Sequence, residues 1–255
     1  MTQRSYETLL SGIMDMGKTM LVCGAEIYRV EDTITRLVKA YGGTSSEVNA
    51  VPSHIITSAT FEGREYTLIR RVDQTETDLE LLDRVNDLSR KICREKPEPD
   101  KISKMLDAAK NRKGYTNWQR SAIYALTSFG FALFFGGNGI DACVSAFIAG
   151  SLYWIRRLII RGGGNRVLVA LFCSAYAALL TKLLLLVGLG ADADKIIIGV
   201  VMVLIPGVEM VNGFRDFSIG DIQAGLMHLA EALFLAVIIA VGAAGMFMLL
   251  GEIGV

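Results

Sequence analysis

The sequence predicts a multi-pass α-helical membrane protein of about five transmembrane helices, with an N-terminal cytoplasmic α+β domain. Three observations predict it. Charge is unevenly spread: residues 1–120 of the 255 hold 19 of the 26 Lys+Arg and 18 of the 26 Asp+Glu. The rest of this 52% hydrophobic chain consists of apolar runs of spanning length, separated by short charged clusters. Within the polar half, residues 46–72 are rich in Val, Ile, Thr and Tyr, the chemistry of strands. The chain therefore divides into a cytoplasmic domain, 1–117, and a transmembrane domain, 118–255. Met1–Leu10 has a lone Arg4 and no apolar core, so no signal peptide is read there. Cys23, Cys93, Cys143 and Cys173 are far apart and form no CxxC pair. That spacing argues against a disulfide framework or a zinc site, and two histidines are too few for a His-rich metal site. No metal, cofactor or nucleic acid is expected.

In the polar half, Leu9, Ile13, Met16, Met20, Cys23, Ile27, Val30, Ile34, Leu37 and Tyr41 follow one another in steps of four and three. That is the seam of one long amphipathic helix, stopped at Gly42-Gly43, with Gly24 as a place to bend it. Glu26, Arg29, Glu31 and Asp32 are dense in charge. Such a cluster is either a solvated face of i,i+3 and i,i+4 pairs or a functional group. Ser46–Val51, Ser53–Phe61 and Arg64–Val72 read as a small antiparallel sheet, with a hairpin at Glu62-Gly63. His54, alone in a strand, reads as structural. Thr77-Asp78 caps a helix with Leu79, Leu82, Val85, Leu88 and Ile92 on one face. Lys96–Asp100 breaks it, and a polar helix from about Lys101 to Lys113 leads onward. The domain has no phosphate loop, GxSxG elbow or metal-ligand spacing, and it does not read as an enzyme.

Spans are predicted near 121–137, 142–160, 167–189, 196–217 and 224–250. Trp118 and Arg120 anchor the first at the interface, and Lys182 lies within snorkelling reach of a boundary. Arg156, Arg157, Arg161 and Arg166 follow span two, whereas Asp141, Asp192 and Asp194 with Lys195 follow spans one and three. By the positive-inside rule the N-terminus is cytoplasmic, and five spans put the C-terminus outside.

The anomaly is Pro206–Asp221. Ile196–Ile205 is ten residues, about 15 Å of helix against a hydrocarbon core of about 30 Å. Three outcomes are open. The helix continues through Pro206 with Glu209 and Asn212 inside, it breaks so that half-helices meet at mid-depth, or Pro206-Gly207 ends the span and a cytoplasmic loop follows. The first two place polar groups where an ion or small anion binds. Pro206, Gly207, Asn212, Arg215, Asp216 and Asp221 are therefore the candidate substrate residues. Asp221, His228 and Glu231 share one face of the next helix, so His228 and Glu231, with Glu209, are candidates for carrying protons. Alternatively Ala232–Gly251, twenty uncharged residues, spans by itself and leaves His228 and Glu231 at the interface without a function.

Gly24-Ala25-Glu26-Ile27-Tyr28-Arg29-Val30-Glu31-Asp32-Thr33 resembles the "SGAETYRVEDT" signature of the threonine/serine exporter (ThrE) family. Val72–Leu88 is similar to its second soluble motif. Phe134–Gly137, Pro206-Gly207, Asn212, Arg215-Asp216, Gly220-Asp221 and Gly225 are similar to its membrane motifs. Cys23 stands where that family usually has Ser, and Glu209 is an acidic departure. The resemblance implies a cell inner membrane exporter of threonine and serine, proton-coupled, with Gly24, Glu26, Arg29, Glu31 and Asp32 as the motif of the cytoplasmic domain. The chain resembles the short, YjjP-like form, which acts with a second small membrane subunit (YjjB-like). That form is associated with succinate, so a dicarboxylate is the alternative substrate. An odd number of spans also suits an inverted repeat completed by a partner, and a homo-oligomer is a further assembly. In such an exporter Arg215 engages a carboxylate or holds Asp216, Asn212 gives neutral hydrogen bonds, and Asp216 or Asp221 takes the amino group or a proton. A membrane-tethered hydrolase or metabolite sensor using Glu26, Arg29, Glu31 and Asp32, and a scaffold, are the rivals from other classes.

Overall fold

The computed structural model describes residues 3–72, 76–111 and 114–252. Asp73–Thr75 of the second soluble motif, and Arg112 and Lys113 at the end of the predicted polar helix, lie outside the described residues. The chain forms two compact units, Met1–Lys113 with Val208–Ala230, and Gly114–Gly207 with Glu231–Val255.

The first unit contains α1 (Gln3–Val22), α2 (Ile27–Ala40), β1 (Ser45–Val51), β2 (His54–Phe61), β3 (Arg64–Arg71), α3 (Leu79–Glu95) and α4 (Pro99–Lys110). The single helix expected over Leu9–Tyr41 is two. The chain breaks at Cys23–Glu26, where Gly24 has φ +89° and Glu26 is extended. The four-and-three periodicity runs on across the break because both helices bury their stripes in one core. Leu9, Ile13, Met16, Met20, Ile27, Val30, Ile34 and Leu37 are all fully buried there. Close approach is built in, since a Cβ on Gly17 would stand 2.7 Å from Ile34 Cδ1.

The sheet is antiparallel in the order β1-β2-β3, with Val51 opposite His54 and Phe61 opposite Arg64. The second turn fits its residues: Glu62 and Gly63 both have positive φ, as a two-residue hairpin requires. Ile55, Thr57, Ala59 and Phe61 alternate inward along β2. Arg70 of β3 donates to Asp15 Oδ1 (2.7 Å) and Ser11 Oγ (2.6 Å) of α1. Asp78 caps α3 by accepting from Leu81 N. The unit is completed by residues from Val208 onward in α9 (Gly207–Ile219) and by the start of α10 (Ile222–Glu252) up to Ala230.

The second unit contains α5 (Asn117–Phe134), α6 (Gly139–Arg161), α7 (Arg166–Leu186), α8 (Ala193–Val201) and the remainder of α10. Among the described residues three helices are long and apolar enough to cross a membrane: Gly139–Arg161, Arg166–Leu186 and Ile222–Gly251. They correspond to the spans predicted near 142–160, 167–189 and 224–250. The span predicted at 121–137 is a helix, α5, outside that group. The span predicted at 196–217 is not one helix. α8 ends at Val201 after nine residues, and α9 starts at Gly207. Pro206 explains the interruption, because it lacks an N–H and disfavours helical backbone at Ile205.

Small polar residues hold this unit together. Ser128 Oγ and Ser145 Oγ of α5 and α6 are 2.6 Å apart, and Ser145 Oγ donates to Ile196 O of α8 at 3.1 Å. Gly199 lets α8 in, since a Cβ there would stand 2.9 Å from Ala132 Cβ and 2.9 Å from Ser128 O. Asp141, 1% exposed, accepts from Ala191 N (2.7 Å) and Asp192 N (3.2 Å) through Oδ1, and from Asn138 N (3.3 Å) through Oδ2.

Candidate functional site

The site lies in the first unit and begins with an inverted helix. α9 buries Asn212, Gly213 and Asp216 while Val211, Phe214, Phe217 and Ile219 are exposed. Burying polar side chains and exposing aromatic ones is the reverse of an ordinary amphipathic helix, so specific partners must hold the buried face. Those partners come from the motif around the break between α1 and α2.

Asn212 Nδ2 donates to Gly24 O at 3.2 Å. The Arg215 guanidinium pairs with Glu26 Oε1. Glu26 Oε2 also stands 2.9 Å from Arg29 Nε, a charge contact, while that N–H donates to Tyr28 OH at 3.2 Å. Thus two motifs that are 188 residues apart at the Gly24–Asn212 link form one polar surface. Glu31 Oε1 accepts from Ala50 N at 2.8 Å and ties α2 to β1. Burial raises the Glu31 carboxyl above its usual range; the Ala50 N–H opposes this, and the charges of Asp221 and Asp216 add to it.

The far side of the site is the start of α10. Gly220, with φ +90°, turns the chain, and Asp221 caps the helix by accepting from Ala224 N at 3.0 Å. The two helices then touch backbone to backbone, since a Cβ on Gly225 would stand 3.0 Å from Gly213 O and 3.1 Å from Phe217 N. Between them His228 Nδ1 lies 2.8 Å from Asp216 Oδ2, with the aspartate side chain fully buried and the imidazole 8% exposed. Asp216 Oδ1 is buried and has no hydrogen-bond partner among the described residues. A buried acceptor left without a donor costs about 1–3 kcal/mol.

Not every predicted site residue joins this surface. Gly24, Glu26, Arg29, Asn212, Arg215, Asp216 and His228 do, with Glu31 and Asp221 beside them. Asp32 pairs with Arg36 at 2.7 Å on the solvated face of α2. Glu209 is half-buried in the first turn of α9, where a negative charge suits the helix N-terminus. Pro206 and Gly207 belong to the second unit. Glu231 belongs there too, and its Oε1 accepts from Arg166 at 2.8 Å, so it does not share a cluster with His228. Arg215 meets Glu26 rather than Asp216, and Asp216 meets His228. Sequence reasoning missed the backbone partner Gly24 O. It also missed the Glu26–Arg215 pair, for which the signal available was the excess of acid in 26–32.

Residues 11–250 match the family described as "Putative threonine/serine exporter". A "Probable threonine/serine exporter" of Mycobacterium tuberculosis (strain ATCC 25618 / H37Rv) is 26% identical over 230 residues, which cover 89% of this chain and 43% of that relative. The chain thus spans less than half the length of the curated relative it matches. No solved structure matches it.

Proposed function

This chain belongs to the threonine/serine exporter (ThrE) family, and on that premise we propose that it is a subunit of a secondary-active exporter moving threonine and serine out of the cytoplasm. The observation that carries this reading is that α9 offers both a half-exposed guanidinium, Arg215, and a buried carboxylate oxygen with no hydrogen-bond partner among the described residues, Asp216 Oδ1. A zwitterionic α-amino acid suits such a pair. Its carboxylate goes to Arg215, whose planar fork matches it, and its ammonium to Asp216 Oδ1. Asn212 lies one helical turn away, within reach of a side-chain hydroxyl. Asp221 keeps its capping role. A dicarboxylate is the poorer fit, because its second negative end would meet Glu26, Glu31, Asp216 and Asp221 in the same unit.

In this reading the Asp216–His228 pair, 2.8 Å apart and buried, holds the coupling proton. The second small membrane subunit supplies the facing wall, and the exposed apolar side of α9 lies against lipid. The N-terminal unit is cytoplasmic, with the basic segment Arg156–Arg166 on the same side. The orientation is consistent only if α5 and the α8 region also cross: α5 returns Arg156–Arg166 to the cytoplasmic side, and five passages in all put the C-terminus outside. α5, with 18 residues, is about 27 Å long and approaches the hydrocarbon thickness.

The test is efflux of labelled threonine from loaded cells that carry the chain together with its partner subunit. Arg215→Ala and Asp216→Ala are each expected to abolish efflux while the protein reaches the membrane in normal amount. Near-normal efflux from both variants would sink the reading.

A further inference from the structure

Glu26 sits at the N-cap position of α2, where a carboxylate normally accepts from the first backbone N–H groups, yet its side chain makes no capping hydrogen bond. It is instead directed to Arg215 of α9, with Arg29 on its other oxygen. The two ends of the pair differ in exposure: the Glu26 side chain is 13% exposed and that of Arg215 48%. A ligand carboxylate can therefore approach the guanidinium from the open side while Glu26 holds the sheltered one.

We propose that Glu26 is an internal carboxylate competitor, which occupies on Arg215 the place taken by the substrate's carboxylate and is displaced when substrate binds. The inference rests on the exporter reading and adds a specificity residue to it. Its physics is an exchange of like for like. The guanidinium trades one carboxylate for another and keeps its charge neutralised throughout. Glu26 is not left as an unpaired charge, because Arg29 stays 2.9 Å away. The loop itself need not leave α9, since the Asn212–Gly24 O hydrogen bond is independent of both charges. Only a ligand with a carboxylate can make the exchange, so a neutral or purely cationic ligand leaves the pair intact. With its guanidinium half-exposed the pair is also weak enough to yield: pairs open to solvent are worth about 1 kcal/mol, roughly fivefold in a binding constant.

The experiment is equilibrium binding of labelled threonine to the full chain with its partner subunit in lipid nanodiscs. Glu26→Gln removes the competitor and is expected to bind threonine roughly two- to fivefold tighter than wild type. Arg215→Gln is expected to lose binding whether or not Glu26 is present. Unchanged or weaker binding by Glu26→Gln overturns the proposal and leaves the exporter reading standing if wild type binds. A wild type that binds neither threonine nor serine overturns both. Should Glu26→Gln fail to fold, Glu26→Asp keeps the charge but shortens its reach. That variant must also bind threonine more tightly than wild type, and if it does not, the proposal falls.

Discussion

Asp141 and Asp216 are both aspartates buried within their own units, 1% and 0% exposed, and they are held in opposite ways. Asp141 accepts three backbone N–H groups and joins the start of α6 to the turn before α8. Among the described residues Asp216 has one hydrogen-bond partner, the imidazole of His228, and an oxygen with none. The contrast separates a buried carboxylate that builds the fold from one that is kept at the expense of stability. Removing the first should orphan donors, whereas removing the second should relieve an orphaned acceptor.

The largest expected effect follows directly. Asp141→Ala leaves three donors without an acceptor and should cost several kcal/mol, at about 1–3 kcal/mol per orphaned group. Thermal unfolding in detergent should show a collapse of the transition, with Asp141→Asn partly rescued by its remaining acceptor oxygen. Asp216→Asn should change the unfolding free energy by no more than about 1 kcal/mol, because the amide keeps one polar atom toward His228 and the other had no hydrogen-bond partner among the described residues. Equal destabilisation by the two substitutions would erase the contrast.

A smaller effect tests how tightly each region is packed. Gly199→Ala in α8 drives a methyl into Ser145 and the Ser128 carbonyl, and should cost about 1–3 kcal/mol. Gly225→Ala meets the backbone of α9 and should splay the α9–α10 crossing, reducing transport more than stability. Comparing the two variants by unfolding and by efflux distinguishes packing that serves the fold from packing that serves the site.

The smallest effect concerns Glu31. Its folded-state carboxyl is raised, so the native state holds its proton to higher pH than the unfolded chain does. Stability should therefore fall as pH rises from the ordinary carboxylate range through the raised value, and it should recover on acidification. In Glu31→Gln this segment of the pH–stability curve should be flat. An unchanged slope in that variant would show that another group carries it.

How much of this was legible beforehand depended on range. The hairpin at Glu62-Gly63 and the Asp78 cap are decided within a few residues, and the sequence signals for them are local. The break at Gly24 was hidden because a continuous four-and-three stripe is what two helices sharing a core also produce. The interruption at Pro206 was visible, but its consequence was not: α9 meets the polar break between α1 and α2, a fact that hydropathy cannot carry. The Glu26–Arg215 and Asn212–Gly24 links join segments far apart in the chain, and either motif alone reads as an ordinary solvated cluster. Asp141, counted as one more loop charge in orienting the helices, is buried because the backbone of 191–192 returns to it.

The most direct test of the central claim is threonine efflux by Asp216→Asn beside wild type, at matched membrane levels and matched unfolding midpoints. Loss of efflux in a chain that is as stable as wild type is the predicted result. Efflux at the wild-type rate from that variant would contradict the assignment of Asp216 to the transported amino acid.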